Sequence, residues 1–256
     1  MSGASSLALG GIECHHPLRT NIRATVLPGP ATPVDGLLTR DGKCAVVGSP
    51  QKKRASVSIV NLGRFVSAPA AGQIDCAREI AARYAVPYSP GLDPYSPFVA
   101  AVKRAIDSGA HDLEVRRAVA GTRAQRHDVL AGLQEPYLRM VQACKGTFEH
   151  PQRTVWSTDE LDVTVTPEIV VVPPRGRPQV VKLYLRKDAL TRDGADAMLQ
   201  VMTDSMDALW PDADARVWDV RREKVWAPHR KRRGFEAWLR LQASALASLW
   251  KEFAAA

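Results

Sequence analysis

The strongest constraint on the fold lies between Asp162 and Ala227, where two strand-like pairs flank one helix-like segment. The chain reads Asp162-Val-Thr-Val-Thr-Pro-Glu-Ile-Val-Val-Val172, then a Pro-Pro-Arg-Gly turn over 173–176, then Val180-Val-Lys-Leu-Tyr-Leu-Arg-Lys187. Val163, Val165 and Ile169 to Val172 are apolar and β-branched, which suits a central strand. The turn prolines donate no amide and cannot continue a ladder. Beyond them Val180, Val181, Leu183 and Leu185 resume a strand, with Lys182, Tyr184 and Arg186 on the other face of the two-residue repeat. From about Arg192 to Leu209 the period becomes helical, with Ala195, Met198, Leu199, Met202 and Met206 on one side. A second strand pair follows: Val217, Trp218 and Val220, then Val225 and Trp226 across the Arg221-Arg-Glu-Lys224 turn.

The flanking sequence is less constrained. Ile22–Leu27, Lys43–Val47 and Ser56–Val60 suit short strands, and Gly48 to Arg54 suits a cationic hairpin tip. From Gly72 to Lys145 the pattern is helical. One stripe is Ile74, Ala77, Ile80, Ala81 and Tyr84; the next is Phe98, Val102, Ala105 and Ile106. A short helix over Leu113–Ala120 precedes a longer one from Arg123 to Cys144, which Pro136 should kink or split. Arg116, Arg117, Arg123, Arg126 and Arg139 are expected on the wet sides of these helices. After the second hairpin, an amphipathic helix turns Phe235, Trp238, Leu239, Leu241, Leu246, Leu249 and Trp250 inward. The expected fold is α+β: a mixed sheet with flanking helices. Its parts are a leader (1–19), an N-terminal β element and helical region (20–120), and a sheet-and-helix core with a C-terminal helix (121–256).

With 45% hydrophobic and 24% charged residues over 256 positions, the chain can bury a proper core. No apolar run approaches the roughly 18 to 20 residues of a membrane span, so no membrane partner is expected. The absence of Lys or Arg before Arg19 leaves no charged signal-peptide region, and a cytoplasmic location is expected. Cys14, Cys44, Cys76 and Cys144 show no paired spacing, so reduced thiols are the expectation. Cys14-His15-His16 lacks a second pair of metal ligands. Lys and Arg number 35 against 27 Asp and Glu, and the excess favours polyanionic partners.

Strand, turn, strand, helix and strand pair, with Pro167-Glu168 in the first strand and Val180-Val181-Lys182 in the second, resembles the core of the PD-(D/E)XK nuclease-like superfamily. The resemblance covers roughly residues 123–227 and implies a restriction-endonuclease-like core. In that family a carboxylate from the first strand and an acid-x-Lys pair from the second hold Mg²⁺ and activate water for phosphodiester cleavage. Position by position, the resemblance places Glu168 at the first acid and Glu135 at an acid of the preceding helix. Lys182 stands where the second acid belongs, and Tyr184 where the lysine belongs. Glu168, Lys182 and Tyr184 are thus the candidate catalytic positions. A Mg²⁺ ion needs several converging oxygens, and Lys182 puts an ammonium among them. No metal ligand set and no cofactor are therefore assigned. Mg²⁺ enters only if Asp162, Asp188 or Asp193 supplies a relocated ligand. Glu168 and Lys182 equally suit a cross-strand ion pair.

Three cationic sets are the candidate nucleic-acid contacts: Lys182, Arg186 and Lys187; Arg221, Arg222 and Lys224; and Arg230, Lys231, Arg232 and Arg233. Sharing a face, they would form a basic stripe beside Tyr184, Trp218 and Trp226, whose rings can stack on bases or fill the core. The expectation is a non-catalytic, nuclease-fold-related protein that contacts DNA, RNA or an acidic protein partner. Two alternatives stand beside it: a Mg²⁺-dependent nuclease with relocated ligands, and an assembly subunit that docks another protein. Whether the chain is an enzyme is left open.

Overall fold

The computed structural model describes residues 54–86, 93–229 and 233–255. The expected leader, the strands at 22–27 and 43–47, Cys14, Cys44 and the Arg230-Lys231-Arg232 run lie outside them.

Strand β1 (Ala55–Ser58) passes directly into helix α1 (Ile59–Ser67). The Ser58 side chain accepts the Asn61 amide, so the expected strand over 56–60 ends in a helix cap. Helices α2 (Ala70–Tyr84), α3 (Ser96–Ser108), α4 (His111–Ala120) and α5 (Ala124–Ala143) follow. Of the kink or split expected at Pro136, the split does not occur: α5 runs through the proline as one helix. Leu133, Tyr137 and Leu138 around the proline are buried against the sheet, and that packing holds the helix together.

The Asp162–Val172 stretch is two strands in two different sheets. β4 (Leu161–Val165) is the middle of a three-stranded sheet, parallel to β1 and antiparallel to β3 (Thr154–Ser157). Thr166-Pro-Glu168 then crosses to β5 (Ile169–Val172) of a five-stranded sheet, a break that suits a residue without an amide at Pro167. β5 lies between β2 (Thr147–Glu149) and β6 (Gln179–Tyr184), antiparallel to both, with Ile169 opposite Val181. α6 (Arg192–Asp204) and the short α7 (Met206–Leu209) then carry the chain to β7 (Asp214–Asp219), which is parallel to β6. A 3₁₀ turn over Val220–Arg222, with Glu223 at φ 50°, leads to antiparallel β8 (Lys224–Trp226), and α8 (Phe235–Ala255) ends the described chain. The fold class is α+β, as expected.

Each face of the five-stranded sheet is covered. Val180, Tyr184, Ala215 and Val217 share one core with α1, α2, α6, α8 and the three-stranded sheet. Ile169, Val181, Leu183, Leu185 and Trp218 share the other with α3, α4 and α5. Helices α1 and α6 meet through glycines. A Cβ on Gly63 would stand 2.5 Å from Met198 Sδ, and one on Gly194 would stand 2.5 Å from the Gly63 carbonyl oxygen. Three expected inward residues face out: Leu241, Ile74 and Tyr84 are 68%, 45% and 40% exposed. Among the described residues, no helix is long and apolar enough to cross a membrane.

Candidate functional site

Glu168 and Lys182 meet where the chain crosses from one sheet to the other. The Glu168 amide donates to the Val181 carbonyl at 3.1 Å, which sets its side chain beside β6. One carboxylate oxygen accepts the Leu183 amide at 2.7 Å; the other accepts the Lys182 ammonium. That ammonium also donates to the Thr166 carbonyl at 2.7 Å. Both residues are buried, Glu168 at 5% and Lys182 at 8% exposure. Two desolvated charges thus close on each other and on backbone groups, an arrangement that breaks badly if one partner is lost. Lys182 is consequently not a surface cation.

The remaining acids named from the sequence stand apart from this pair. Glu135 is half exposed and pairs with Arg116 at 3.0 Å; hydrogen bonding from Gln134, then Arg116, holds its carboxyl below the usual range. Asp162 accepts from the Ser157 hydroxyl at 2.7 Å and lies 3.6 Å from Arg54. Asp188 faces Arg64 and Arg186 at 3.6 and 3.8 Å. Asp193 sits in the first turn of α6. Among the described residues, no three His, Cys, Asp or Glu side chains converge as metal ligands.

Tyr184 is fully buried, and burial pushes its phenol up to about 12. Among the described residues, its hydroxyl has no hydrogen-bond partner. Across the sheet it is in register with Asp219, a residue that strand periodicity alone did not single out. Asp219 is fully buried; desolvation raises its carboxyl while Arg222, at 3.2 Å, opposes that rise. An Asp three residues before an Arg at a strand end was the available signal.

The cationic sets divide by role. Arg221 is a clamp: Nε donates to the Leu185 carbonyl at 2.9 Å and Nη2 to the Val129 carbonyl at 2.8 Å, tying α5 to the end of β6. Arg186 is mostly covered, with its side chain 17% exposed. Arg222 reaches Asp219 and the Lys187 carbonyl, the latter at 2.6 Å, and so joins the ends of β6 and β7. Lys187 is exposed beside it. Lys224, opposite Asp219 on β8, is exposed and lies 3.5 Å from the centre of the Trp226 ring. Arg192, missed from the sequence, lies over the same ring at 5.4 Å and pairs with Asp196 at 3.1 Å. Lys187, Arg222 and Lys224 are therefore brought to one end of the sheet. Arg233 is exposed before α8, and Arg230, Lys231 and Arg232 lie outside the described residues. Of the two readings of the tryptophan rings, stacking or core filling, the structure shows core filling: Trp218 and Trp226 are 2% and 7% exposed.

Comparison of the sequence with protein-family models and with curated proteins gives no match to either. The chemistry of the site therefore rests on its own geometry. That geometry holds a closed ion pair inside the sheet and a cluster of cations at the sheet's end, suited to holding anions.

Proposed function

We propose that this chain is a non-catalytic, cytoplasmic protein on a PD-(D/E)XK nuclease-like scaffold, which binds the phosphate backbone of DNA or RNA. One observation carries the reading: both oxygens of Glu168 are engaged, one by the Lys182 ammonium and one by the Leu183 amide. The carboxylate that would anchor Mg²⁺ in the family instead anchors a lysine. The strand–turn–strand–helix–strand-pair order of residues 169–226 supports the scaffold. The gathering of Lys187, Arg222 and Lys224 at one end of the sheet supports an anion-holding surface.

The test is a binding titration of short fluorescent DNA and RNA oligonucleotides at two salt concentrations. With about three or four phosphates neutralised, affinity falls roughly a hundredfold between about 50 and 200 mM salt. A Lys187→Glu, Lys224→Glu double variant weakens binding to all sequences alike. Binding absent at low salt overturns the reading; if an acidic protein then co-purifies, the surface is a protein-docking one.

A further inference from the structure

A second cationic site lies in the helical layer, where Arg117, Arg123 and Arg126, expected on the wet sides of the helices, are joined by Arg104. Helices α3 and α4 and the start of α5 enclose a groove of about 500 Å³ lined by Arg104, Arg117, Arg123 and Arg126. That volume is in the usual range for small-ligand clefts, roughly 300–1,000 Å³. Its walls between the arginines include Ala100 and Gly121, small enough for a ligand to approach the backbone.

The charge is poorly balanced. Among the described residues, Glu114 is the one carboxylate paired with any of the four guanidiniums, with Arg104 Nε at 2.7 Å and Arg117 Nη1 at 3.7 Å. Among the described residues, no carboxylate lies within ion-pair distance of Arg123 or Arg126. Four arginines against one carboxylate leave three positive charges around one groove. Repulsion of that kind is relieved by an anion. The twenty-residue helix α5 adds to it, starting at Ala124 with no side-chain cap and no acid in its first turn. Among the described residues, no aromatic ring lines the groove, so they offer no platform on which a base can stack.

We propose that this groove binds ligands carrying two or more adjacent phosphoryl groups, recognised by charge and by guanidinium forks rather than through a base. A single phosphate leaves the three excess charges only partly matched; a triphosphate or a run of backbone phosphates matches them. The groove's position deepens the nucleic-acid reading without depending on the scaffold resemblance. Arg221 holds Val129 of α5 against the end of β6. Helix α5 begins at Ala124, five residues and about 7.5 Å before Val129.

Calorimetric titration with inorganic tripolyphosphate, and separately with a single-stranded oligonucleotide, tests the proposal on the full chain. Tripolyphosphate is expected to bind saturably and more tightly than monophosphate. Arg123→Glu with Arg126→Glu should weaken it about tenfold or more while leaving the thermal midpoint unchanged; Arg123→Lys with Arg126→Lys should retain part of the affinity. Oligonucleotide binding that the same glutamate variant abolishes, without tripolyphosphate binding, supports the groove with nucleic acid as the phosphate source. Two results overturn the proposal: no binding of either probe, or binding unaffected by the glutamate variant. Oligonucleotide affinity that responds to Lys187→Glu and Lys224→Glu but not to the groove variant upholds the proposed function and rejects the groove.

Discussion

At the scale of single residues, the Glu168–Lys182 pair is the feature on which most depends. Alternation along the strands was enough to read the two as cross-strand neighbours. Their closure was not readable, because it is completed by the Thr166 carbonyl and the Leu183 amide, groups every residue carries. Glu168→Ala strands a buried ammonium and is expected to lower unfolding free energy by about 3–5 kcal/mol in urea denaturation. Glu168→Gln combined with Lys182→Met should cost less than the sum of its single variants, because the two charges leave together. His111 makes a second residue-scale test. Its Nδ1 lies 2.9 Å from the Tyr137 hydroxyl, its ring packs on Phe148, and burial holds its imidazole below the ordinary 6.5. Below 6.5 the unfolded chain takes up a proton at this site that the folded chain refuses until its own lower value is reached. This contribution to stability is complete above 6.5 and is lost as pH falls through that window. Thermal melts across it should show a shallower acid-side decline in His111→Asn than in the natural chain.

At the scale of elements, two joints hold the layers in place. Arg221 bridges α5 and the end of β6 with two charge-assisted hydrogen bonds to carbonyls. Arg221→Ala is expected to cost about 2 kcal/mol in chemical denaturation and to raise amide exchange in the first half of α5. A lysine should not restore it, having no fork to span both carbonyls. The second joint is the α1–α6 contact. A methyl on Gly194 meets the Gly63 carbonyl oxygen and the Ser67 hydroxyl. Gly194→Ala is expected to separate the helices and lower stability by about 1–3 kcal/mol, read as a fall in thermal midpoint. Periodicity located β5, β6, α6 and β7 because each buries a continuous apolar face. It missed α1, whose Asn61, Gly63 and Arg64 interrupt an extended-looking run and whose helical state depends on the Ser58 cap. It also joined β4 to β5, since nothing in the β-branched run shows that Pro167 separates two sheets.

For the molecule as a whole, two groups of cations stand out. Lys187, Arg222 and Lys224 lie at one end of the five-stranded sheet, and four arginines line the helical groove. The α+β class and the hairpin–helix–hairpin order were legible in the sequence because they follow from hydrophobic periods. The division of the cations was not, because charge count cannot distinguish a carbonyl clamp such as Arg221 from an exposed Lys187. The function we propose is that a nuclease-like core here holds phosphates without cutting them. The most direct measurement is incubation of labelled DNA and RNA with the purified chain and millimolar Mg²⁺ or Mn²⁺, alongside Glu168→Ala. The nucleic acid is expected to be bound at low salt and to stay intact with either protein. Divalent-dependent cleavage by the natural chain that disappears in Glu168→Ala would contradict it.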